Sequence, residues 1–229
     1  MFVLKRCFIF TLGFHEDVVL RRLNEEGARR GEEILVVSGP ENPGVRRAFE
    51  SLRNYALKVG YSEPRIIHVD PSEPHKALVE IAEFLSGCRG CRVVAEFGGG
   101  LRCVGYLTLL ALLALGVEFN LHVRIEGSDT DVKVPWEVVE PIAKELRNLD
   151  YKIMSVLART GGCSEKEVAE EAGIGEKTVR NRLAELRRRG LVEKKGRSEP
   201  KLTPWGEAIV KLEAERRRAR ERESRLKSL

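Results

Sequence analysis

The sequence contains no glutamine at all, only two methionines and two tryptophans, and few aromatic residues. Missing glutamine beside abundant Glu and Arg is the composition of a heat-adapted protein, so a thermophile is expected. The five cysteines are an odd number, which excludes a secreted disulfide framework. Cys88-Arg89-Gly90-Cys91 has the spacing of half a zinc site with no second pair to complete it. No metal is therefore expected, and a local disulfide between Cys88 and Cys91 is the alternative. The longest apolar run, residues 104–117, falls short of the roughly 20 residues a membrane-spanning helix needs. Residues 1–6 lack the order of a signal peptide. No membrane partner and a cytoplasmic location are expected.

The charge is uneven along the chain. Before Pro141 there are 17 basic and 20 acidic side chains, net −3; from Pro141 onward there are 23 and 15, net +8. That asymmetry assigns any nucleic-acid contact to the back part of the chain.

In the front part, short apolar runs at 7–11, 34–38, 66–70 and 92–97 alternate with helical patterns ending near residues 31, 59, 86 and 115. Near-continuous apolar strands alternating with helices imply an α/β fold, a Rossmann-like and mostly parallel sheet with helices on both faces. Residues 119–125 and 131–134 read as a hairpin that adds an antiparallel edge. The expected organisation is a ligand-sensing domain at 1–135, a linker helix at 136–150, a winged helix-turn-helix at 151–212 and a charged helix or tail at 213–229.

Ligands of open parallel sheets bind outside the carboxyl ends of the strands. Two loops there carry suitable chemistry. Thr11, Leu12, Gly13, Phe14 and His15 follow the first strand, and Gly98, Gly99, Gly100, Leu101 and Arg102 follow the fourth; Ser38 closes the second. Three glycines admit positive φ and close approach of a ligand, and the helix start with Arg102 suits an anion. Phe14 offers a ring to a base. The first loop has one glycine where a dinucleotide dehydrogenase has G-x-G-x-x-G, which counts against a nicotinamide cofactor. The helix at 101–115 is apolar nearly all round, and a second copy of the chain is the expected cover for the part a sheet leaves bare.

In the back part, Ser164-Glu165-Lys166-Glu167 has capping-box form, Gly173-Ile174-Gly175 is a turn, and residues 176–189 form the next helix, with helix-turn-helix spacing. On that helix Lys177, Asn181 and Arg188 project opposite the apolar positions, with Thr178 and Arg180 at the flank. Lys194, Lys195 and Arg197 belong to a following β-wing. These eight residues are the expected contacts to double-stranded DNA.

The Thr11-Leu12-Gly13-Phe14 loop, the Gly98-Gly99-Gly100-Leu101-Arg102 loop and the C-terminal winged helix together resemble the archaeal CRISPR-associated transcription regulators. In that family a CARF (CRISPR-associated Rossmann fold) domain is fused to a winged helix-turn-helix. The resemblance implies a homodimer that binds cyclic tetra-adenylate, a cyclic oligoadenylate, across the paired front domains and regulates CRISPR-associated genes or arrays. It places Thr11, Gly13, Phe14, Gly99, Gly100 and Arg102 on the two ligand-binding motifs, with no cofactor and no catalytic residue. Two alternatives remain: a ring nuclease that cleaves the ligand with Arg102 and His15 or Thr11, and a winged-helix regulator sensing another nucleotide.

Overall fold

The computed structural model describes residues 5–88, 90–125, 128, 130–194 and 199–227. The chain divides into two units, one ending at Trp136 and the other beginning at Glu137.

The first unit is one six-stranded sheet with the order β3-β2-β1-β4-β5-β6. Its strands are β1 (Arg6–Leu12), β2 (Glu33–Ser38), β3 (Arg65–His68), β4 (Arg92–Glu96), β5 (Phe119–Arg124) and β6 (Asp131–Val134). The first five run parallel and β6 pairs antiparallel with β5, as the hairpin predicts. Strands β1, β2 and β4 are buried over nearly their whole length, which is why they read as unbroken apolar runs. Alternation sorts their side chains by face. Phe8, Phe10, Leu12, Ile34, Val36 and Val94 form a core with Val19 and Leu23 of α1 (Asp17–Glu25) and Ala48 and Leu52 of α2 (Pro43–Val59). Helices α3 (Pro74–Leu85) and α4 (Arg102–Leu115) pack on one another.

Several boundaries differ from the sequence expectation. Strand β3 stops at His68, where the Val69 N–H makes the last rung to β2 by donating to the Ser38 carbonyl (2.9 Å). Strand β4 ends at Glu96, a buried carboxylate, and leaves Phe97 to the loop. Only part of α4 is covered within the chain: Val104, Thr108, Ala111 and Leu112 are buried, whereas Tyr106 is 66% and Leu110 52% exposed.

The second unit comprises α5 (Trp136–Ala143, of which Trp136 closes the first unit), α6 (Asn148–Thr160), α7 (Glu165–Ala172), α8 (Glu176–Arg188), a two-stranded wing of β7 (Val192–Glu193) and β8 (Lys201–Leu202), and α9 (Pro204–Lys227). The expected single linker helix at 136–150 is instead α5 and the first turn of α6. The charged tail is the continuation of α9 rather than a frayed end. Glu213 is buried, the Arg217 guanidinium lies 4.1 Å from the Tyr151 ring centroid, Arg216 donates to the carbonyls of Pro141 and Ile142, and Arg220 pairs with Glu145. Arginine stems and guanidinium planes cover apolar surface in this way while their charge remains satisfied.

Candidate ligand cavity and DNA-binding surface

Strands β1 and β4 lie side by side, yet the chain leaves them in opposite directions across the sheet, to β2 and to β5. This switch point opens a crevice at their carboxyl ends. A cavity of about 1060 Å³ occupies it.

Backbone contact between the two glycine-bearing loops shapes the floor. A Cβ on Gly13 would stand 2.8 Å from the Gly100 Cα, one on Gly99 2.7 Å from the Thr11 carbonyl oxygen, and one on Gly100 2.7 Å from the Leu12 carbonyl oxygen. Gly100 also has a φ of +76°. Two hydroxyls reinforce the contact: Thr11 Oγ1 donates to the Gly99 carbonyl at 2.6 Å, and Ser38 Oγ donates to the Leu12 carbonyl at 3.0 Å. Thr11 therefore lies behind the cavity and holds the glycine loop, while Ser38 lines the wall with its hydroxyl engaged. Leu12, Gly13, Phe14, His15, Gly98, Gly99, Gly100, Leu101 and Arg102 all line the cavity. Phe14 is 66% exposed and braces its ring edge against Gly44, where any Cβ would come within 2.6 Å.

Leu101 is the N-cap of α4 and supplies no side-chain cap, so the first N–H groups of the helix remain open toward the loop. Arg102 is exposed and, among the described residues, makes no hydrogen bond or ion pair. An anion would find there a helix N-terminus and a cation.

A charged network behind the loop was not legible in the sequence. Glu96 Oε1 accepts the Gly98 N–H at 2.9 Å, and its Oε2 accepts Arg22 Nε at 3.1 Å and Nη2 at 2.9 Å. Arg22 Nη2 also reaches Asp131 Oδ2 at 2.7 Å, and that oxygen lies 3.3 Å from His122 Nδ1. Burial pushes the Asp131 carboxyl up, but hydrogen bonds from Arg22 and His122 outweigh it and hold the group below the usual carboxylate range. The Arg22 guanidinium, shared by Glu96, Asp131 and Glu25, offsets part of the negative charge behind the loop that would otherwise repel an anion. Sequence reading also missed wall residues on neighbouring strands, Gly39 to Asn42 after β2 and Val123 to Ile125 at the end of β5. Applying the carboxyl-end rule to every strand, rather than to the two glycine loops, finds them.

The second unit presents helix-turn-helix geometry. Ser164 Oγ accepts the Glu167 N–H at 3.2 Å, and Glu167 Oε2 accepts the Ser164 N–H at 2.8 Å, a reciprocal capping box. Gly173, with φ +66°, ends α7. On α8, Val179, Leu183 and Leu186 are buried, and Lys177, Thr178, Arg180, Asn181 and Arg188 are exposed. Glu165 lies between Arg180 (3.1 Å) and Lys194 (3.8 Å), and Glu185 pairs with Arg188 at 2.6 Å. Arg182 belongs to the core, bidentate on the fully buried Asp150 at 2.8 and 2.6 Å. Lys195 and Arg197 lie outside the described residues.

Among the described residues no three His, Cys, Asp or Glu side chains are grouped as metal ligands, and no helix is long and apolar enough to cross a membrane. Cys88 and Cys91 are free thiols, not the local disulfide considered for them.

Comparison with known proteins gives these observations a family. A protein of Saccharolobus solfataricus described as a CRISPR locus-related, candidate DNA-binding protein, Csa3, is 28% identical over 210 residues, covering 90% of this chain and 88% of its own. Among solved structures, Can2 from Sulfobacillus thermosulfidooxidans, in complex with cyclic tetra-adenylate, aligns with 9% identity and a TM-score of 0.43 over 90% of this chain and 62% of its own. Ligand-free NadR aligns with 23% identity and a TM-score of 0.32 over 40% of this chain and 65% of its own. Residues 146–193 match the winged helix-turn-helix DNA-binding family. Residues 6–137 match the Csa3 CRISPR-associated Rossmann-like domain, and the chain belongs to that family.

Proposed function

We propose that the chain is a ligand-responsive DNA-binding regulator of CRISPR-associated genes or arrays, and that its effector is cyclic tetra-adenylate bound across a homodimer. The observation that carries this reading is the switch-point cavity, whose floor is glycine backbone and whose rim holds the N-terminus of α4 and Arg102, which has no partner among the described residues, in a chain that also carries a winged helix. Such a floor accepts phosphate without steric obstruction, and Phe14 beside it supplies a stacking surface. The exposed stripe of Tyr106 and Leu110 runs along the helix that begins at the site. Pairing of two copies along it would bring the two glycine loops together about a two-fold axis, and a cyclic ligand with matching symmetry would be contacted twice by the same residues. If one arrangement of the paired domains binds the ligand better, ligand binding biases the recognition helices through that difference in affinity.

Titration calorimetry of cyclic tetra-adenylate against wild type and Arg102→Ala tests the ligand. Heat with wild type that weakens in the variant supports the reading, and no heat with either removes the ligand assignment. Sedimentation of wild type and Tyr106→Glu tests the dimer, which the charged variant should dissociate. A turnover reading rests on His15 and Arg102 lining the same cavity. Incubation with labelled ligand followed by anion-exchange chromatography distinguishes it, since only a ring nuclease gives linear product.

A further inference from the structure

Three of the five cysteines gather at the amino ends of the two central strands, the end of the sheet opposite the cavity. Cys7 is the second residue of β1, Cys88 closes a single 3₁₀ turn (Ser86–Cys88), and Cys91 directly precedes β4. Strand pairing sets Cys7 beside Val93, so the chain entering β4 passes next to it. The Sγ atoms of Cys7 and Cys88 stand 2.8 Å apart, and both residues are buried, at 1% and 0% exposure. A disulfide bond of about 2.05 Å closes from that separation with a sub-ångström shift. Cys91 is a less suitable partner: it is half-buried, and what joins it to Cys88 is its backbone N–H, donated to the Cys88 carbonyl at 3.1 Å.

We propose that Cys7 and Cys88 are a cross-linking site, oxidised to an intrachain disulfide that staples β1 to the turn leading into β4. The two thiols are polarised in opposite senses. The hydrogen bond with Cys88, followed by burial, pushes the Cys7 thiol up, and the same hydrogen bond from Cys7 pulls the Cys88 thiol down. Cys88 is therefore the more readily ionised of the two thiols and attacks first. With a small-molecule disulfide as oxidant, the Cys88 thiolate attacks one of its sulfurs and expels a thiolate. Cys7 then gives its proton to that thiolate and attacks Cys88 Sγ, expelling the second, which takes up the proton Cys88 released on ionising. Two protein thiols and one small disulfide become one protein disulfide and two small thiols. The bond joins residues 81 positions apart, a long loop whose closure restrains the unfolded chain. Because it lies at the opposite end of the strands from the cavity, it acts on stability and not on ligand binding, and it holds whether or not the proposed effector is correct.

The full chain, unfolded and reduced in guanidinium, is refolded with oxidised and reduced glutathione so that burial does not limit access, then quenched, alkylated and digested with trypsin. Cleavage after Arg89 separates Cys88 from Cys91. The expected result is a cross-linked pair of the Cys7 and Cys88 peptides, with Cys91, Cys103 and Cys163 alkylated. The oxidised protein should also have a higher urea midpoint than the reduced one, a difference retained in Cys91→Ser and lost in Cys7→Ser and in Cys7→Ala. Five alkylated cysteines, a Cys88–Cys91 link, or a midpoint difference that survives in the Cys7 variants would overturn the assignment.

Discussion

At Gly100 a φ of +76° coincides with a Leu12 carbonyl oxygen 2.7 Å from where a Cβ would stand, so two separate penalties fall on one residue. The left-handed conformation alone costs a non-glycine residue about 1–3 kcal/mol. Gly100→Ala should destabilise the first unit by at least that much in urea unfolding, and it should weaken effector binding as the two loops part. The Arg22–Glu96 pair behind the loop gives a second prediction. Both side chains are almost fully buried, at 5% and 2% exposure, and losing one partner leaves the other as an uncompensated buried charge. Arg22→Met should cost about 3–5 kcal/mol. The double variant with Glu96→Gln, which removes both charges and retains an acceptor for the Gly98 N–H, should recover part of that loss. Equal instability of the single and double variants would show that packing, not charge, is what Arg22 supplies.

At the scale of the element, α8 separates its arginines by burial. Arg182 is bound to the buried Asp150, whereas Lys177, Asn181 and Arg188 stand on the exposed face. Arg182→Ala should therefore lower the thermal midpoint of the second unit. Lys177→Ala and Arg188→Ala should leave that midpoint unchanged and each reduce the salt slope of DNA binding by about 1. Asn181→Ala should relax base preference, with discrimination at one base pair falling by about 1–3 kcal/mol in competition binding. The sequence made this helix legible because its apolar period, its flanking Gly175 and the capping box before it agree. It made β1, β2 and β4 legible for a similar reason, since strands buried on both faces are apolar throughout. It could not reveal the Arg22, Glu96 and Asp131 network, whose members come from α1, β4 and β6 and share no local period. Nor could it reveal how α9 continues. A run of Glu and Arg reads as solvated surface unless the Tyr151 ring and the Pro141 carbonyl that receive Arg217 and Arg216 are known to lie beside it.

At the scale of the whole molecule, each unit carries its own depressed carboxyl, and the two tryptophans permit the acid dependence of the two units to be read separately. Trp136 closes the first unit, its ring centroid 5.5 Å from that of Phe119, and Trp205 lies on α9 in the second. In the first unit the carboxyl of Asp131 is held below its ordinary value, facing Arg22, His122 and Lys133. A depressed carboxyl contributes stability that is complete above the unfolded value near about 4 and is lost as pH falls through the lower folded value. In the second unit the Glu167 carboxyl is held down by the Ser164 backbone N–H of the capping box, an exposed hydrogen bond. With Trp205→Phe, the fluorescence of Trp136 should show first-unit stability level above pH 5 and falling below pH 4, and Arg22→Met should flatten that dependence. With Trp136→Phe, the Trp205 signal should be unaffected by Arg22→Met at every pH. An Arg22 substitution that moved both signals together would mean that the two units unfold as one cooperative block.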